Sequence, residues 1–141
     1  QPANLFVAGF IGSPPMNFFH GRIRNGPTGP EFHETNADHP AAVIPLTRQP
    51  PADGPSWEER SVILGLRPEA LHPSPGGTLD ARIELVEPMG AETFLHLHTG
   101  ATAFIARVDP DGRYSAGDRI SIAPDPGRIH LFDPDTGQAI A

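Results

Sequence analysis

The sequence predicts a small all-β protein, a Greek-key barrel or sandwich of short strands with one short N-terminal helix. Three observations carry this. The 141 residues fit a single domain. Its 18 prolines and 15 glycines break the chain too often for long helices. Between those breaks the apolar residues fall in short runs, several with period-two alternation.

Residues 4–12 are densely apolar, and the spacing of Phe6 and Phe10 would place both rings on one face of a short helix. Gly12 to Pro15 stop it. Met16 to Arg24, with Phe18, Phe19 and Ile23, reads as the first strand. Residues 25–40 are rich in Gly, Pro, Asn and Asp and read as loop; Glu31, His33 and His39 fall there and receive no role. Ala41–Thr47 is a strand, residues 48–57 a second loop, and Ser61–Arg67 a buried strand closed by Pro68.

Pro73–Gly77 is a turn. From Thr78 to Leu85 the apolar Leu79, Ala81, Ile83 and Leu85 alternate with polar residues, and the slip at Val86 predicts a bulge. After a turn at Glu87–Ala91, Thr93–Thr99 and Thr102–Val108 form a hairpin about Gly100 and Ala101. Asp109 to Gly112 is turn chemistry, Arg119–Ile122 and Arg128–Phe132 are the last strands, and Asp133 to Gly137 is a final turn. The count is about eight strands.

Composition removes several functions. The formal net charge is −7, and all 10 basic residues are arginine. Without lysine there can be no P-loop, whose ammonium must reach the terminal phosphates of a nucleotide. Without cysteine there is no disulfide, thiolate metal site or cysteine nucleophile. No Gly-x-Ser-x-Gly elbow or strand-linked Gly-x-Gly-x-x-Gly is present. The acidic balance disfavours nucleic acid. No apolar run approaches the roughly 18 residues of a membrane span, and no signal peptide is visible. The chain opens on Gln1 and reads as part of a longer protein.

His96 and His98 flank Leu97, so both rings should share a strand face. Two imidazoles can chelate Zn²⁺, but no third ligand stands at a fixed spacing, and a solvated strand face is the favoured reading; no metal site is expected. Trp57, after a proline-rich loop, should cap the core. Arg67-Pro-Glu69 reads as a surface turn with a weak ion pair.

Four runs in order resemble the region that follows the nucleotide-binding domain in ATPases of maltose- and glycerol-3-phosphate-type sugar importers. They are Asn4–Asn17, Leu64-Gly-Leu-Arg-Pro-Glu-Ala-Leu71, Val86-Glu-Pro-Met-Gly-Ala-Glu-Thr93 and His130-Leu-Phe-Asp-Pro-Asp-Thr-Gly137. The resemblance spans nearly the whole chain. It implies an oligonucleotide-binding-like (OB-like), TOBE-type barrel over residues 16–141, with residues 1–15 a junction from a nucleotide-binding domain.

It further implies a non-catalytic regulatory domain that keeps two ATPase subunits together as a homodimer. That domain would contact its own nucleotide-binding domain, and its parent protein would sit with membrane subunits on the cytoplasmic face of the membrane. ATP and Mg²⁺ would belong to the nucleotide-binding domain, with no cofactor in this chain. A regulatory protein docks on this region in some members, and the matching positions here are Phe18, Gly65 and Glu87. Arg67 and Glu69 match the family's most recognisable motif.

A binding barrel for small oxyanions, as in related molybdate domains, is the alternative. It would need clusters of Ser, Thr and Gly with a basic residue.

Overall fold

The computed structural model describes residues 4–5, 14–35, 42–50 and 52–140. Apart from Asn4 and Leu5, the helix expected over residues 4–12 lies outside the described residues, as does His39. Leu5 N–H donates to the Gly137 carbonyl at 3.0 Å, tying this segment to the last turn.

Ten strands are present among the described residues. They are β1 Asn17–Gly26, β2 Gly29–Glu34, β3 Val43–Pro45, β4 Ser61–Leu66, β5 Leu71–Pro73, β6 Leu79–Pro88, β7 Thr93–His98, β8 Ala103–Val108, β9 Arg119–Pro124 and β10 His130–Phe132. They form two antiparallel sheets, ordered β10-β4-β1-β2-β3 and β5-β9-β6-β7-β8. The chain leaves the first sheet through a 3-10 turn at Pro68–Ala70 and returns only with β10. The result is the nearly closed all-β barrel that the pattern predicts.

Inward residues of both sheets meet in one core. Phe19 of β1 lies 5.1 Å, centroid to centroid, from Phe104 of β8, and Ile23, Phe32, Leu64, Leu95 and Leu97 are buried around them. Trp57 is buried in the same core, as its position predicts. β4 is covered on both faces, because Val62, Leu64 and Leu66 face this core while Ile63 enters a second cluster. Its unbroken apolar run follows from that.

Two strands depart from expectation. Residues 29–34, read as loop, are β2, so Glu31 and His33 stand on a strand with His33 Nε2 3.1 Å from Glu31 Oε1. Leu71–Pro73, of which only Pro73 was assigned, to a turn, pairs with β9. The bulge in β6 falls between Ile83 and Leu85, one step before the predicted slip. It turns Leu85 outward, leaving it 52% exposed.

Candidate partner-docking surface

β1 alternates along its first half: Phe19, Gly21 and Ile23 point inward, while Phe18, His20 and Arg22 point out. Antiparallel pairing sets Phe18 opposite Gly65 of β4, and Gly65 opposite His130 of β10. Phe18 meets the buried Phe132 ring edge-on at 6.1 Å. Met16, Ile63 and Phe132 form a second apolar cluster, with Leu5 and Phe18 packed against it. A Cβ at Gly65 would stand 2.5 Å from Met16 Sδ and 3.0 Å from Phe132 Cε2, so those side chains would have to shift to admit one. Two of the three predicted docking positions, Phe18 and Gly65, are therefore neighbours.

The third belongs to the other sheet. Glu87, near the end of β6, accepts a hydrogen bond from His96 Nε2 at 3.0 Å. Glu92 and Arg107 pair nearby at 3.2 Å, and Met89, in the turn between β6 and β7, is 52% exposed. His96 and His98 share the outer face of β7, as their spacing predicts. His96 is held by Glu87, and His98 Nδ1 accepts the Gly100 N–H at 2.9 Å, so each ring is engaged locally.

Asn17 joins the two sheets. Its Nδ2 donates to the Ile105 carbonyl at 2.8 Å, and its Oδ1 accepts the Ile105 N–H at 2.9 Å. This side chain substitutes for a strand along part of the open edge of β8. Glu34 makes a second joint: its Oε2 accepts the hydroxyls of Thr99 at 2.9 Å and Thr102 at 2.5 Å, from the β7–β8 turn. Its Oε1 is buried without a hydrogen-bond partner. Sequence reading singled out neither residue. A polar side chain placed inward at a strand end is the signal that could have found them.

Glu69 lies 3.7 Å from Arg128 rather than acting only within its own turn. Arg67 caps the end of β4 in extended conformation and leads into the 3-10 turn.

Comparison with known proteins bears on the whole chain. The family model described as MalK OB fold domain matches residues 12–71, and the one described as TOBE domain matches residues 64–132. The multiple sugar-binding transport ATP-binding protein MsmK of Streptococcus mutans is 35% identical over 147 residues, covering 99% of this chain. The sn-glycerol-3-phosphate import ATP-binding protein UgpC of Ruegeria pomeroyi is 37% identical over 143 residues, covering 100% of it. The chain spans only 37% and 36% of the length of these two relatives. Among solved structures, the cytoplasmic molybdate-binding protein ModG aligns with a TM-score of 0.55 over 84% of this chain and 96% of its own. At 14% identity that likeness shows a common fold.

Proposed function

From the premise that the chain belongs to the family of TOBE and MalK-type OB-fold domains, we propose that it is the regulatory and dimerisation domain of the ATP-binding subunit of an ABC-type carbohydrate importer. One observation carries this reading. The two domain matches run on from each other across residues 12–132, and the importer relatives align along essentially all of the chain. In this reading residues 1–15 connect to a nucleotide-binding domain that holds ATP and Mg²⁺. The barrel itself is non-catalytic, and the whole sits against membrane subunits on the cytoplasmic face.

The physical role follows from the chemistry of the cycle. ATPase domains that separate between turnovers keep a high effective concentration only if something holds them. A rigid barrel with a self-complementary face can do that. Phe18, half-buried beside the buried Gly65, and separately the Glu87–His96 pair, are the candidate contacts for a regulatory protein.

Sedimentation equilibrium of the chain at rising concentration is expected to show a reversible dimer. A strict monomer at hundreds of micromolar would overturn the dimerisation role. Calorimetry with millimolar ATP is expected to show no binding. A stoichiometric ATP complex would refute the non-catalytic assignment.

A further inference from the structure

The outer face of the second sheet carries a row of nitrogen bases. Arg82 of β6 stands opposite Arg119 of β9 on one side and opposite His98 of β7 on the other. Arg82 and Arg119 are exposed and His98 is half-buried, and all three line one cleft with Glu84, Thr99 and Gly100. Neighbouring strands lie about 4.8 Å apart, so the row extends roughly 10 Å across three of them. Like charges set directly opposite each other cost a sheet stability.

Among the described residues neither guanidinium has a carboxylate at ion-pair distance, whereas Arg22, Arg24, Arg60 and Arg107 all do. Glu84 lines the cleft without pairing with either arginine, and Asp80, on the next outward row, accepts the Ser121 hydroxyl at 2.8 Å. His98 Nδ1 accepts the Gly100 N–H at 2.9 Å, which leaves the proton of the neutral ring on Nε2 as a donor. Beyond Glu84 the face continues into a second cleft, of about 400 Å³, lined by Asn17, His96, Ala103 and Ile105. There Leu85 opposes His96 and His96 opposes Ile105, and the bulge leaves Leu85 52% exposed.

We propose that this face binds an extended acidic segment of a partner protein. A carboxylate would be held by Arg82, Arg119 and His98, and an apolar side chain two residues on would cover Leu85 and Ile105. Guanidinium forks match the paired oxygens of a carboxylate, and arginine clusters recur where acidic motifs are recognised. A small inorganic anion would occupy only part of the row and would leave Leu85 in water. His98 and His96, the partners of Arg82 and Leu85, are two residues apart on β7, which is also the spacing of same-side residues along an extended peptide. The surface adjoins the Glu87–His96 pair, but it is built on the Arg82 row and stands without the importer reading.

The test is an NMR titration of the full chain with the peptide acetyl-Glu-Glu-Val-Val-amide. Either side of this peptide, when extended, presents a carboxylate and then a valine. Salt at about 0.15 M screens the net charge of the chain beyond roughly 8 Å. The amides of residues 82–85, 96–100, 103–105 and 119 should shift saturably. Arg82→Gln should weaken binding about tenfold, the loss expected for one charge-assisted contact. Leu85→Ser should weaken it too, and both side chains are exposed, so the fold survives either change. Arg22→Gln, on the other sheet, should leave the affinity unchanged. Absence of saturable shifts, equal binding of acetyl-Lys-Lys-Val-Val-amide, equal affinity for inorganic phosphate alone, or an unaltered affinity in Arg82→Gln would overturn the surface.

Discussion

Replacing Asn17 by alanine removes the joint between β1 and β8. Asn17 is 9% exposed, and its carboxamide makes both of its contacts to the backbone of one residue, donating to the Ile105 carbonyl and accepting from the Ile105 N–H. Each net hydrogen bond is worth about 1 kcal/mol, and a buried group left unpaired costs roughly 1–3 kcal/mol. Ile105 is only partly buried, so water can reach part of what is exposed. The expected loss is therefore about 2–3 kcal/mol, from the low end of those ranges.

Asn17→Asp separates the two contacts. It keeps an acceptor for the N–H but sets a carboxylate oxygen against the Ile105 carbonyl. That repulsion raises the introduced group's pKa above its unfolded value of about 3.9. The variant should be weakest at neutral pH and should recover part of the loss as pH falls through the raised value. Urea unfolding at pH 7 and at pH 4 measures both changes. A loss below about 0.5 kcal/mol for Asn17→Ala, well under one net hydrogen bond, would refute the joint. So would an Asn17→Asp variant as stable as the parent at pH 7.

Three further outcomes are expected. Gly65→Ala should destabilise by about 1–3 kcal/mol through overpacking against Met16 and Phe132, and thermal unfolding measures it. Phe18→Ala or Glu87→Lys in a full-length importer subunit should leave transport intact and weaken inhibition by a docked regulator; normal inhibition in both variants removes these residues from that surface. The His130 midpoint should lie below its ordinary 6.5, because burial and then Arg48, Arg67 and Arg128 favour the neutral ring. With the folded value depressed, the contribution is full above the unfolded value and is lost as pH falls from there through the folded one. His130→Gln should flatten the stability profile just below pH 6.5, and an unchanged slope would count against the cationic setting.

The residues that made the fold legible are those whose alternation is undisturbed. Leu79, Ala81 and Ile83 announce β6, and Thr93 to Val108 announce a hairpin whose turn the structure places at Thr99–Thr102. β2 stayed hidden because its inward positions are Pro30, Phe32 and Glu34, so the strand shows one large apolar side chain between a breaker and a charge. That Glu34 faces inward is intelligible only beside Thr99 and Thr102, more than sixty residues away. β5 escaped notice because three residues ending in proline carry no period. Phe18 and Gly65 came from motif resemblance, and their adjacency from strand register.

β1 occupies the centre of its sheet, with β4 on one side and β2 on the other. Six residue pairs bind it to β4 over Asn17–Arg22 and six to β2 over Gly21–Gly26. A body attached upstream of Asn17 that drew away from the barrel would pull along this strand. Ladder hydrogen bonds in antiparallel pairs run perpendicular to the strands, so a force along β1 loads many of them at once in shear. An edge strand peeled from one end would instead yield bond by bond. A pull along β1 from its upstream end would therefore meet both ladders in shear.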